Sequence, residues 1–167
     1  MKVLVTYRSV TGNTKKIAEA IFEEIQTEKE IVNFRDVDSL DAYDFVFVGY
    51  PVEGWGPGGA SKKWLKEHVK GKKISVFCTH GAPEMAPTLP PWLDAIKAAA
   101  TDAGAEIIRF FNCQGEMSQR VVDMLLKDPD PNVQAMGKFG REATMGQPDE
   151  SRIEKAREFA RETMKIL

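Results

Sequence analysis

A cluster of polar side chains around one glycine stands near the start of the chain, in a pattern that could bind an anion. The residues are Ser9, Val10, Thr11, Gly12, Asn13 and Thr14. They follow a short apolar segment and precede a segment with helical spacing of apolar residues. Hydroxyl and amide groups donate to anions, and glycine lets the backbone close around a ligand. A helix N-terminus adds free N–H groups and a positive dipole end, so this spacing predicts a phosphate-binding loop.

The same loop lacks the residues of two common nucleotide sites. It has no Gly-Lys-Ser/Thr, which excludes the magnesium-nucleotide P-loop, and no G-x-G-x-x-G, which excludes the dinucleotide fingerprint. A phosphate held by hydroxyls and amides without a cation indicates a monophosphate ester. The alternative is that Thr11 and Thr14 only cap the following helix. Capping would use one hydroxyl and would leave the other polar residues of the loop without a role.

Strand-like and helix-like segments alternate along the chain and must position this loop. Strands are predicted at Val3–Tyr7, Ile31–Phe34, Phe45–Val48, Ile74–Phe77 and Ile107–Phe111. Helices are predicted at Lys15–Gln26, Ser61–Val69, Trp92–Ala103 and from a capping box at Ser151–Glu154 to the end. Alternation with continuous apolar strands predicts a parallel sheet covered on both faces. The predicted fold class is therefore α/β, a doubly wound five-stranded parallel sheet in a three-layer sandwich.

Three unusual loops follow the first, third and fourth predicted strands, at positions 8–14, 51–59 and 79–91. In doubly wound sheets a ligand binds beyond the carboxyl ends of the strands, where the strand order reverses. All three loops lie at that edge, which predicts that they form one site.

The segment Gln114–Pro148 does not fit the alternation. We predict two short helices in it, at Ser118–Leu126 and Asn132–Phe139, followed by an irregular stretch up to Gln147. Connections of this length are uncommon and are often functional. We expect the segment to form a partner or substrate surface beside the site; the alternative is a lid that only packs on the sheet edge.

Composition narrows the class of protein. The 167 residues predict one domain, and a net charge of −2 gives no preference for nucleic acid or anionic membranes. No run of about 18 apolar residues occurs, and no secretory signal pattern is visible. Cys78 and Cys113 form no C-x-x-C pair and read as buried thiols; with only His68 and His80 beside them, a metal site is not expected. A cytoplasmic protein is predicted.

The run S-x-T-G-N-T at positions 9–14, followed by Ile17-Ala18, resembles the FMN phosphate loop of the flavodoxins. The run Gly54-Trp55-Gly56 resembles the flavodoxin loop whose tryptophan stacks on the isoalloxazine ring. The alternation of elements resembles that family over the whole chain apart from Gln114–Pro148. The resemblance implies the strand order 2-1-3-4-5 and FMN as the cofactor, with its phosphate in the first loop and its ring between the other two.

The resemblance also implies residue roles. Ser9, Thr11 and Thr14 would donate hydroxyls to the phosphate, and Val10, Gly12 and Asn13 would donate backbone N–H groups. Trp55 would stack on the ring, and Gly56 matches the position of the redox-linked peptide flip. The cofactor-binding residues expected in the three loops are Ser9, Val10, Thr11, Gly12, Asn13, Thr14, Pro51, Val52, Glu53, Gly54, Trp55, Gly56, Thr79, His80, Gly81 and Ala82.

The chain departs from the family pattern at two places. The loop after the fourth strand has no tyrosine for the outer ring face, which could be covered by Pro83, Met85, Leu89 or Trp92 or be open. Trp92, like Trp64, reads more simply as a helix residue packed on the sheet. Pro57 follows Gly56, and proline has no N–H and restricts the residue before it.

The sequence leaves three function classes open. The leading prediction is an FMN-binding electron-transfer protein that shuttles electrons between redox partner proteins. The alternative is an FMN-dependent reductase or oxidase acting on a quinone, tetrapyrrole or similar flat substrate; the missing tyrosine, the mild charge and the long segment favour it. The third class is a phosphate-binding or regulatory module without flavin. No catalytic residues stand out, and the oligomeric state is not indicated.

Overall fold

A computed structural model describes residues 1–167, and its centre is a sheet of five parallel strands. The strands are β1 Lys2–Tyr7, β2 Glu28–Asn33, β3 Phe45–Pro51, β4 Lys73–His80 and β5 Glu106–Gln114. They pair in the order β2-β1-β3-β4-β5, and every pairing is parallel. The strand order reverses between β1 and β3, as the prediction required, and the α/β fold class is confirmed.

Helices cover both faces of this sheet. They are α1 Asn13–Glu24, α2 Gly59–His68, α3 Leu89–Asp102, α4 Gln119–Leu126, α5 Pro131–Thr144 and α6 Glu150–Lys165. Side chains alternate along β1, so Val3 and Val5 join the apolar cluster under α1 and α6, while Leu4 joins the cluster under α2 and α3. None of the helices is both long and apolar enough to cross a membrane.

The second strand differs from its prediction. It starts at Glu28 instead of Ile31, and Phe34 begins a 3₁₀ turn, Phe34–Asp36, rather than ending the strand. As an edge strand, β2 is only half-buried and accepts charged residues, and Glu30 pairs with Lys2 of β1 at 2.8 Å. Phe34 leaves the strand because its ring stacks on Trp64 of α2, with a centroid distance of 4.0 Å.

The observed helix boundaries also differ from the predicted ones. The predicted irregular stretch 139–147 is wrong for most of its length, because α5 continues to Thr144. Gly140 lies in the missed part, and glycine is a poor helix former. In the structure Gly137 allows close contact with α4, where a Cβ atom would lie 2.9 Å from Leu125.

Several helix termini also lie elsewhere than predicted, including the starts of α1 at Asn13 and of α2 at Gly59. The first helix ends at Glu24, and α3 starts at Leu89 because prolines fit the first turn of a helix. The capping box at Ser151–Glu154 is wrong. Asp149 caps α6 instead, and its carboxylate accepts the N–H of Arg152 at 3.0 Å.

Candidate functional site

The carboxyl ends of β1, β3 and β4 bring the three predicted loops together. Arg8, directly after β1, pairs with Glu53 after β3 at 3.0 Å. The hydroxyls of Thr14 at the start of α1 and Thr79 at the end of β4 lie 2.8 Å apart. These contacts join the first loop to the second and to the third, so the structure places the sequence-predicted residues at one edge of the sheet.

The first loop leaves backbone donors free at the start of α1. Gly12 is the N-cap residue at φ 94°, a left-handed conformation that favours glycine, and no side chain caps the helix. The amide groups of Asn13, Thr14 and Lys15 have no partner within the protein. Neither Thr11 nor Thr14 caps this helix, so the capping explanation for their hydroxyls does not apply.

Two hydroxyls of the loop accept hydrogen bonds from within the loop. Ser9 Oγ accepts the N–H of Gly12 at 3.0 Å, and Thr11 Oγ1 accepts the side-chain amide of Asn13 at 3.2 Å. Each hydroxyl therefore keeps its own proton for an external acceptor. Together with the free amides, this donor set fits a phosphate and uses no lysine or arginine side chain.

The second loop presents Trp55 on a tight turn. The N–H of Glu53 donates to the carbonyl of Gly56 at 2.7 Å, and Val52 forms a β-bridge with Pro57. Gly54 and Trp55 have φ values of 62° and 71°, the pattern of a type I′ turn. A bulky side chain is uncommon at positive φ and costs about 1 kcal/mol there. Backbone strain of this kind concentrates at functional sites.

Trp55 is half-exposed and meets a second tryptophan. Its ring lies 4.9 Å from that of Trp92 at the start of α3, with an angle of 37° between them. The expectation that Trp92 packs on the sheet is wrong, since its indole contacts Trp55 instead of the core. Trp64 does pack there, and its indole N–H donates to the carbonyl of Phe34 at 3.0 Å.

Two charged pairs brace the edge, and sequence reasoning missed both arginines. Arg8 forms an ion pair with the carboxylate of Glu53. This carboxylate also lies close to Gly58, since a Cβ atom at that position would be 2.4 Å from Glu53 Oε2. Arg152 of α6 pairs with Glu84 of the third loop at 2.9 Å. The partners in each pair are far apart in sequence, so no local pattern could have indicated them.

His80 fixes the backbone of the third loop. Its ring is buried, with Nδ1 3.1 Å from the carbonyl of Ala82 and Nε2 3.1 Å from the side chain of Asn112. Burial lowers the pKa of His80, so the ring is neutral near pH 7. Nε2 faces Oδ1 of Asn112, and a neutral ring carries one N–H, so it donates to one of these two oxygens. Gln114 also donates to the carbonyl of Ala82, at 3.1 Å.

Two cysteines stand near the carboxyl ends of β4 and β5. Cys78 and Cys113 are free and buried, as the sequence indicated. Burial raises the pKa of both thiols, that of Cys113 to about 12, so neither forms a reactive thiolate. No group of three or more His, Cys, Asp or Glu side chains could hold a metal ion.

The segment after β5 starts at the phosphate loop. The side chain of Asn13 donates to the carbonyl of Glu116 at 2.9 Å. The two helices of the segment, α4 and α5, form a hairpin that packs mainly against itself. We call residues 116–147 the helical hairpin.

Comparison with known proteins places this geometry in a family. The model of the Flavodoxin domain family matches residues 4–161. A flavodoxin-like domain-containing protein, BilS, of Clostridioides difficile is 35% identical over 98% of this chain and 97% of its own length. The oxidised flavodoxin 2 of Bacillus cereus has the same fold, with a TM-score of 0.67 and 18% identity over the full length of both chains.

A flavoprotein of Lactobacillus acidophilus, solved in complex with FMN, has a TM-score of 0.51 and 21% identity over 74% of this chain and 97% of its own. The family match spans nearly all of β1 through α6, including all three loops of the site. By sequence and by fold, this chain belongs to the flavodoxin family.

Proposed function

We propose that this protein binds FMN and carries electrons between redox enzymes in the cytoplasm. The observation that carries the proposal is the phosphate loop, with free amides at the N-terminus of α1 and two hydroxyls that accept bonds within the loop and so keep their protons for an external acceptor. A loop without lysine or arginine suits the single phosphate of FMN better than the pyrophosphate of a dinucleotide. Flavin supplies the electron chemistry when bound, and the protein orients and tunes it.

In this proposal the flavin ring contacts two aromatic side chains, Trp55 and Trp92. The chain has no tyrosine in the loop after β4, and Trp92 already packs against Trp55. At a centroid distance of 4.9 Å the two rings are in direct contact, so no third ring fits between them. A flavin ring that enters between the second and third loops has to part this pair and then contacts both indoles.

The disposition of titratable groups favours a carrier over an enzyme. Both nitrogens of His80 are engaged, and Glu53 and Glu84 are paired with arginines. These three groups are therefore already held by other residues and are poorly placed to move a proton to or from a substrate. The exposed face of Trp55 is the observation that favours the alternative, a reductase or oxidase of flat substrates. Steady-state turnover of NAD(P)H with a quinone would establish the enzyme and reject the carrier.

The cofactor released from the purified protein should be FMN. Acid precipitation followed by chromatography against FMN, FAD and riboflavin standards identifies it. Reconstitution of the cofactor-free protein should likewise prefer FMN to FAD, because the adenylate has no partner in the loop. Tight recovery of FAD would reject the proposal.

Trp92→Ala should weaken FMN binding about three- to tenfold, which is the range for loss of one aromatic contact. Trp55→Ala should have at least this effect, and FMN should quench the fluorescence of both indoles. Trp64→Phe is the matched control, because Trp64 lies in the core beside Phe34. Unchanged FMN affinity in Trp92→Ala, with quenching of Trp55 alone, would remove Trp92 from the site.

A further inference from the structure

Asn13 joins the phosphate loop to the helical hairpin through one side chain. Its amide nitrogen donates to Thr11 Oγ1 at 3.2 Å and to the carbonyl of Glu116 at 2.9 Å. These two bonds use both protons of the carboxamide, so the side chain has none left for a ligand. Its backbone N–H, by contrast, is one of the free donors at the start of α1.

The hairpin is held to the sheet at a narrow neck. Glu116 donates its N–H to the carbonyl of Gln147 at 2.9 Å, and its carboxylate accepts the N–H of Gly146 at 3.0 Å. Next to it, the N–H of Met117 donates to Thr144 Oγ1 at 2.8 Å. Since α4 and α5 pack mainly on each other, the order of the hairpin relative to the sheet depends on this neck.

The contact between the neck and Asn13 is close. A Cβ atom on Gly115 would lie 2.5 Å from the side-chain nitrogen of Asn13, so this position admits glycine only while Asn13 keeps its place. The backbone at Gly115, directly before Glu116 of the neck, is therefore in close contact with the phosphate loop. A change in the position of Asn13 is therefore transmitted directly to Glu116.

We propose that Asn13 is a positioning residue that couples occupancy of the phosphate loop to the order of the helical hairpin. The inference rests on the proposed phosphate-binding function. An anion bound by the amides of the first turn of α1 fixes Asn13, and the fixed carboxamide holds the carbonyl of Glu116 and closes the neck. By linkage, a closed neck must raise the affinity of the loop for the anion by the same factor.

Hydrogen–deuterium exchange of the whole protein tests this coupling. FMN should slow exchange of the hairpin amides about fivefold or more, the lower end of common coupling factors. Riboflavin, which lacks the phosphate, should slow it much less. Equal slowing by riboflavin and FMN, or no slowing by saturating FMN, would overturn the inference while leaving FMN binding intact.

Three variants separate Asn13 from the rest of the loop. In Asn13→Ala and in Gly115→Ala, which displaces the Asn13 side chain from the hairpin side, FMN should no longer protect the hairpin. Thr11→Ala is the matched control, because it loses a phosphate donor but keeps the bond between Asn13 and Glu116. At saturating FMN its hairpin should stay protected. Full protection in Asn13→Ala and Gly115→Ala would show that Asn13 has no coupling role.

Inorganic phosphate is the second probe and separates this inference from the proposed function. If FMN fails to bind but phosphate alone slows exchange of the hairpin, the FMN proposal is wrong and the coupling stands. If neither slows exchange, the coupling is wrong as well.

Discussion

Replacing Thr11 with alanine will weaken FMN binding by about tenfold to a hundredfold. The hydroxyl of Thr11 already accepts a bond from Asn13, so its proton is free for the phosphate. A hydrogen bond to a charged acceptor contributes roughly 1.5–3 kcal/mol, which converts to that loss of affinity. Titration of the cofactor-free protein with FMN, followed by flavin fluorescence, measures it.

Riboflavin and a conservative variant provide the controls for Thr11. Riboflavin has no phosphate, so Thr11→Ala should leave its affinity unchanged, and Thr11→Ser should restore most FMN binding. Thr14 is a poorer choice for this test, because its buried hydroxyl bonds to Thr79 and its loss would also cost stability. An equal loss of riboflavin and FMN affinity in Thr11→Ala would mean that Thr11 acts through the fold.

The parts of the fold that sequence could predict are those with a strong local signal. Strands β1, β3 and β4 are largely apolar because both faces are covered, and their starts were predicted to within one residue. Both β3 and β4 continue three residues beyond their predicted ends, into the less apolar residues that lead to the site. The start of β2 was missed because an edge strand accepts charged residues such as Glu28. The end of α5 after Phe139 was missed because Gly140 has a low helix propensity, which the packing of α5 against α4 overrides.

The site, like the fold, has features that could be predicted from the sequence and features that could not. The three loops could be placed at one edge because parallel strands all end there, whichever residues the loops contain. The contacts that shape the site join distant residues. Arg8 meets Glu53, 45 positions away, and Asn13 meets Glu116, 103 positions away. No periodicity or motif encodes such pairs, so these contacts could not be predicted from the sequence and required the three-dimensional structure.

The distribution of exposed apolar residues marks the edge around this site. Apart from residues at the chain ends, the large apolar side chains that remain exposed all follow the carboxyl ends of strands. They are Val10, Trp55, Met85, Val121, Met124, Leu126, Phe139 and Met145. Five of these belong to the helical hairpin, and exposed methionines suit an adaptable contact surface. This pattern supports the hairpin as the surface on which a redox partner protein docks.

Removing the hairpin helices should abolish electron exchange with that partner while FMN binding survives. A short linker of about four residues can replace 119–143, because Met117 and Thr144 are already bonded across the neck at 2.8 Å. The three loops proposed to hold FMN remain intact. We expect an NADPH- or NADH-supplied extract of the source cells to reduce the bound flavin at least about tenfold more slowly, the effect of losing one well-packed anchor or more.

Dithionite needs no docking surface, so it should reduce the flavin of the shortened and the full-length protein at equal rates. Phe139→Ser should slow reduction by the extract in the same direction, and Ile166→Ser is its matched control, since Ile166 is similarly exposed but lies at the chain end. A shortened protein that holds FMN and is reduced at the normal rate would show that the hairpin has no recognition role. A shortened protein that cannot fold would instead make the hairpin a structural cover of the sheet edge, and the rate in Phe139→Ser would then decide alone whether that cover also binds the partner.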